Sequence, residues 1–107
     1  LSKRYEDKLL DYLKNYLDVG REVKRILGRI DPNVRVYIFG SVVKGCITAL
    51  SDIDILVVTE DINMKHEMMV KVYREVEAPV ELHITTPEKF SSWYMRFISP
   101  NEIIEVR

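Results

Sequence analysis

Two stretches of the sequence carry groups whose types and spacing could do chemistry. The first is Phe39-Gly40-Ser41-Val42-Val43-Lys44-Gly45, a glycine and a hydroxyl placed directly after an apolar run. A glycine at a strand end lets the backbone turn sharply and approach a ligand closely. If Val42, Val43 and Lys44 begin a helical turn, their free amides face one point and can bind an anion. The Ser41 hydroxyl and the Lys44 ammonium would stand beside them. Alone, Gly-Ser is a common turn dipeptide. The second stretch is Ser51-Asp52-Ile53-Asp54-Ile55, reached after ten residues that intervene between Ser41 and Asp52. In an extended chain Asp52 and Asp54 share a face, with Cα atoms roughly 7 Å apart, while Ile53 and Ile55 point to the core. Like charges side by side repel. One divalent cation, or a pair about 3.5–4 Å apart, would reconcile them. The plainer reading has Asp52 capping a turn with Ser51 and Asp54 merely exposed at the strand start.

Glu81 offers a third acid. It alternates with Val80 and Leu82 and shares its face with His83 and Thr85. Should its strand neighbour the one carrying Asp54, three carboxylates would gather, and hard oxygen ligands favour magnesium or manganese over zinc. His83 is the rival group on that face; a strand histidine is read first as a structural donor, with a metal or general-base role as the alternative. Other motifs fail. His66-Glu67-Met68-Met69-Val70 starts like a zincin helix but has Val70 where the second histidine belongs. Gly40 to Gly45 is not followed by the Lys and Ser/Thr of a Walker loop. Cys46 has no activating neighbour in sequence and reads as an ordinary small residue.

The elements that must position these groups follow from periodicity. Leu9, Leu13, Leu17, Val23, Ile26, Leu27 and Ile30 recur at helical spacing, with Gly20 either dividing the segment into two helices or weakening one. Tyr12 and Tyr16 flank that row as packing residues. Asp31-Pro32-Asn33 is a turn. Val34 to Phe39 and Ile53 to Thr59 read as strands, the second with an Ile55-Leu56-Val57-Val58 run that expects cover on both faces. A helix over 63–76 puts Met64, Met68, Met69, Val72 and Val76 on one core-facing side. Val80 to Thr85 alternates as a third strand. Thr86 caps a last helix with Pro87 at its first position and Phe90, Trp93, Tyr94 and Phe97 along it. Residues 101–107 are a frayed turn or an edge strand. The expected fold is α+β, ordered helix-strand-helix-strand-helix-strand-helix, in one domain spanning 1–107.

Composition sets the outer bounds. The chain has 107 residues, with 16 Lys and Arg against 17 Asp and Glu, so the net charge of −1 argues against a generic nucleic-acid coat. No apolar run approaches the roughly 20 residues of a membrane span. The charged start, Ser2 to Lys8, is no signal peptide, and Leu1 in first place implies a trimmed beginning. One cysteine excludes an internal disulfide and fits a reducing cytoplasm.

Gly40-Ser41, the ten-residue gap and Asp52-Ile53-Asp54 together resemble the signature of the DNA polymerase β-like nucleotidyltransferase superfamily. Gly45 and Ser51 to Ile55 are similar to its minimal, single-domain branch. The resemblance implies a mixed sheet with helices packed mainly on one side. It implies that Gly40 and Ser41 hold a nucleoside triphosphate, ATP or another, and that Asp52 and Asp54 bind magnesium or manganese. Glu81 would be the third acid, where many members have aspartate, and Lys44 stands where minimal members often carry arginine. It further implies transfer of a nucleotidyl group, AMP foremost, to an acceptor hydroxyl, with a helical HEPN-type protein as partner in a toxin–antitoxin-like module. A second function stays open: a non-catalytic antitoxin-like module that occludes its partner. For either, the aromatic residues of the last helix would be a partner or homodimer face if exposed.

Overall fold

The computed structural model describes residues 2–107. Helix α1 (Lys3–Lys14) starts where the Ser2 hydroxyl accepts from the Tyr5 amide at 3.1 Å. It stops at Asn15, whose backbone leaves the helical region and whose Nδ2 donates to the Asp11 carbonyl at 2.8 Å. Helix α2 (Tyr16–Gly28) follows at once. The division therefore falls at Asn15, not at Gly20. Gly20 lies buried inside α2, where a Cβ would come within 2.6 Å of Ile38 Cδ1 and 2.9 Å of Val106 Cγ2. It is a packing glycine that lets the helix settle onto the sheet. Tyr12 and Tyr16 pack against the core edge, as their flanking positions imply.

The turn at 31–33 is tied down by Asp31, which is buried. One carboxylate oxygen accepts from the Asn33 amide at 3.0 Å and the other from the buried Thr59 hydroxyl at 2.6 Å. Strand β1 (Arg35–Phe39), the single helical turn α3 (Ser41–Lys44) and strand β2 (Ile53–Val58) come next. A 3-10 turn leads into α4 (Lys65–Glu75), which carries the chain over to β3 (Val80–Thr85). Such a crossover is what a parallel strand pair requires.

After β3, Thr86 caps a helical stretch by accepting from the Lys89 amide at 3.3 Å, with Pro87 in its first turn. That stretch widens into a π turn over Phe90–Tyr94 and ends at Phe97. Residues Ile103–Val106 form an edge strand, β4, so the open choice for the C-terminal segment resolves to a strand. The Lys24 ammonium donates to the Val106 carbonyl at 3.1 Å and holds that end against α2.

The sheet order is β3-β2-β1-β4. β1 is antiparallel to β2 and to β4, while β2 is parallel to β3. This is the expected mixed α+β sheet. Its main core lies on one face, where Val36, Ile38, Ile55 and Val57 meet Val23, Leu27, Met68 and Val72 of α2 and α4. The other face is covered only in part. There Tyr37, Leu56 and Val58 lie beneath Phe90 and Tyr94, and Phe90 stacks on Tyr37 with centroids 4.7 Å apart. Among the described residues no helix is long and apolar enough to cross a membrane.

Candidate active site

The partly covered sheet face carries the chemistry. β1 ends at Phe39, and Gly40 follows with φ 86° and ψ −153°, a backbone region that side chains other than glycine's rarely enter. A Cβ on Gly40 would collide with Oδ2 of Asp54. The missing side chain thus serves twice, allowing the turn and leaving room for the acid. Ser41 to Lys44 make one helical turn closed by Gly45 in the left-handed region, φ 81°. The first amides of that turn, on Ser41 and Val42, have no helical acceptor. Lys44 is not free: its Nζ lies 3.5 Å from Oε1 of Glu102, just ahead of β4.

Register brings the acids together. In the β2–β3 pairing Asp54 stands opposite Glu81 and Leu56 opposite His83. Asp54 also faces Phe39 in the β1–β2 pairing. Because side chains alternate, Phe39, Asp54, Glu81 and His83 all rise from the same face. Asp54, Glu81 and His83 each offer one ligand atom, and these atoms lie within 4.8 Å of one another. His83 Nε2 is 3.8 Å from Asp54 Oδ1 and 3.9 Å from Glu81 Oε1.

The cluster differs from the expected three carboxylates. Asp52 is exposed and precedes β2, whose first residue is Ile53. Its carboxylate is not in the group that Asp54, Glu81 and His83 form. Nor does Ser51 cap through Asp52; its hydroxyl accepts from the Thr48 amide at 3.0 Å. His83, in turn, is no structural donor through Nε2. That atom is buried and has no hydrogen-bond partner among the described residues.

Electrostatics point the same way. Burial, and after it the Glu81 carboxylate, pushes the Asp54 carboxyl above its ordinary range, with His83 opposing. Two acids sharing a half-buried site are a cost to the bare protein that a divalent cation relieves. The donor set fits one: two hard oxygens and an imidazole nitrogen converge beside Gly40, at the start of the Ser41–Lys44 turn. A separate hollow of about 410 Å³, lined by Asp31, Arg35, Glu60 and Phe90 among others, sits at the opposite end of β1 and β2. It takes no part in this arrangement.

Over residues 21–106 the sequence matches the family described as the nucleotidyltransferase domain. The chain belongs to that family. Among solved structures, one of a candidate nucleotidyltransferase aligns with a TM-score of 0.64 and 29% identity, covering 81% of this chain and 96% of the other. A second candidate nucleotidyltransferase, from Sulfolobus solfataricus, aligns with a TM-score of 0.56 and 24% identity over 98% of this chain and 87% of its own, a likeness of fold. This chain spans most of the length of both. No curated protein matches the sequence.

Within this nucleotidyltransferase domain, sequence reasoning missed two contacts. The Lys44–Glu102 pair joins residues far apart in the chain, and nothing local announces it. The approach of His83 to both acids was half visible: alternation put it on the face of Glu81, but only the β2–β3 register sets it beside Asp54.

Proposed function

We propose that this nucleotidyltransferase domain moves a nucleoside monophosphate, AMP foremost, from a nucleoside triphosphate to an acceptor hydroxyl. The observation that carries the proposal is the register that sets Asp54 opposite Glu81 while Gly40 leaves its Cβ space to the Asp54 carboxylate. The triphosphate is received by the amides of Ser41 and Val42 and the Ser41 hydroxyl. Lys44 joins them by exchanging Glu102 for a phosphate oxygen. Asp54 and Glu81 hold a divalent cation, magnesium or manganese, and Asp52 supplies a further carboxylate from the exposed end of its loop. When bound, that cation offsets charge on the entering and leaving oxygens.

In the transfer itself the acceptor oxygen attacks the α-phosphorus. The bond from that phosphorus to the bridging oxygen of the β-phosphate breaks, and pyrophosphate leaves with the electron pair. Glu81 takes the hydroxyl proton. Positioning and electrostatics carry such reactions, because little covalent chemistry is asked of the protein.

The resemblance to the minimal branch supports a helical HEPN-type protein as the acceptor. Trp93 and Phe97 support a protein acceptor from the structural side. They are 56% and 70% exposed, with ring centroids 5.0 Å apart, whereas Phe90 and Tyr94 turn to the sheet. The test is transfer of label from α-labelled ATP, with magnesium or manganese, to small hydroxyl acceptors and to a HEPN-type protein. Asp54→Asn should lower transfer at least about 100-fold, since such a cation contributes several kcal/mol to the transition state. Transfer by the variant at the wild-type rate would overturn the proposal. A wild-type chain that binds the partner without transferring label would establish the occluding module instead.

A further inference from the structure

Three buried side-chain atoms have no hydrogen-bond partner among the described residues: the Tyr37 hydroxyl, the Thr85 hydroxyl and Nε2 of His83. All three belong to the site-bearing face of the sheet. Nε2 of His83 stands beside two acids, at 3.8 Å from Asp54 Oδ1 and 3.9 Å from Glu81 Oε1. Those gaps are too long for hydrogen bonds, which close at about 2.7–3.2 Å. They are within the span, about 4.2 Å at most, that separates two atoms ligating one cation at about 2.1 Å each. The ring stands on a paired strand beside an aromatic neighbour. Its strand is paired at Leu56, and Phe39 packs beside it with ring centroids 5.4 Å apart. An orphaned nitrogen at ligand distance from two carboxylates is the geometry of a metal donor.

We infer that His83 Nε2 ligates the cation held by Asp54 and Glu81, and that this mixed nitrogen–oxygen site selects a first-row transition ion, manganese or cobalt, over magnesium. The inference rests on the metal-binding reading of the site and adds its selectivity. Magnesium takes an all-oxygen octahedron and keeps several waters, and it gains little from an imidazole. Transition ions accept imidazole readily, and their affinity for a nitrogen-containing site climbs from manganese through cobalt. A third carboxylate in place of His83 would erase that preference.

The test uses the full chain without nucleotide. Manganese is added and its coordination read by pulsed EPR, where a bound imidazole leaves a ¹⁴N modulation. Manganese, cobalt and magnesium affinities are measured by titration. Wild type should show the ¹⁴N signal and bind manganese and cobalt more tightly than magnesium. His83→Ala should lose the signal and at least about tenfold in manganese and cobalt affinity, since even an outer-shell partner of a metal ligand is worth that much. Its magnesium affinity should move far less. His66→Ala, an exposed histidine on α4, should change neither. Thermal melts check that each variant folds, and His83→Gln serves if the alanine variant does not.

A wild-type manganese complex without ¹⁴N modulation would overturn the inference. So would a folded His83 variant with an unaltered manganese-to-magnesium preference. In both cases loss of cation binding in Asp54→Asn would leave the site reading intact. If no cation binds wild type at all, the site reading falls and the inference falls with it.

Discussion

Gly40 and Asp54 show how one position can be required by two neighbours. Gly40 needs a backbone region that costs other residues about 1–3 kcal/mol, and its Cβ would strike the Asp54 carboxylate. Gly40→Ala should therefore lose at least about 1–3 kcal/mol in chemical denaturation. It should also lose any rise in melting temperature that ATP gives wild type, because the turn and the acid move together. Asp54 makes a second prediction, with a sign that can be worked through. Its carboxyl titrates above the ordinary 3.8 in the folded chain, so the folded state holds the proton more tightly than the unfolded state. Without cation, its contribution to stability is greatest below that ordinary value and is lost as pH rises through the raised one. Asp54→Asn should then melt higher than wild type at neutral pH, with the difference vanishing in acid. A cation at 100 times its Kd adds about 2.7 kcal/mol to wild type alone and reverses the order. Melts across pH, with and without manganese, check both halves.

At the scale of elements, the close seat of α2 on the sheet depends on Gly20. Helix periodicity predicted α2 correctly, but a glycine in a helix reads locally as a weakness, worth about 1 kcal/mol against alanine. Its reason lies across the core, in Ile38 Cδ1 and Val106 Cγ2, both on buried side chains. Gly20→Ala should destabilise, since overpacking a dense core costs about 1–3 kcal/mol and outweighs the gain in helix propensity. Ile38→Val removes the nearer clash. In a double-mutant cycle followed by urea denaturation, the two substitutions should cost less together than the sum of each alone. The strands tell a similar story. Alternation placed Val80 to Thr85 and its faces correctly, yet one sequence cannot say which strand it pairs with. Asp52 stands just ahead of β2, and its carboxylate lies outside the group that Asp54, Glu81 and His83 form.

Across the whole molecule the two sheet faces are unequal. One is packed by α2 and α4, while the other bears the acids and is roofed only by the stretch 87–97. That roof is itself two-sided. Phe90→Ala should cost at least about 1 kcal/mol, because its ring stacks on Tyr37. Trp93→Ser with Phe97→Ser should shift stability by no more than about 0.5 kcal/mol per site, as exposed substitutions do. The same double variant should weaken capture of a HEPN-type partner while leaving nucleotide binding unchanged, which paired melting and binding titrations would read. Equal affinity for the partner would place the docking face elsewhere.

By itself the sequence determined the first three strands, the helical segments between and around them, the glycine-serine turn, the pattern of acids and the resemblance to nucleotidyltransferases. Those signals are local: periodicity, turn residues and short spacings act through neighbours a few positions apart. The tertiary structure decided which acids meet. Asp54 and Glu81 lie opposite each other because β2 and β3 pair in parallel through α4, and that register brings in His83 and leaves Asp52 at the rim. Pairing between distant strands is set by the packing of a whole core, which no short window of sequence contains.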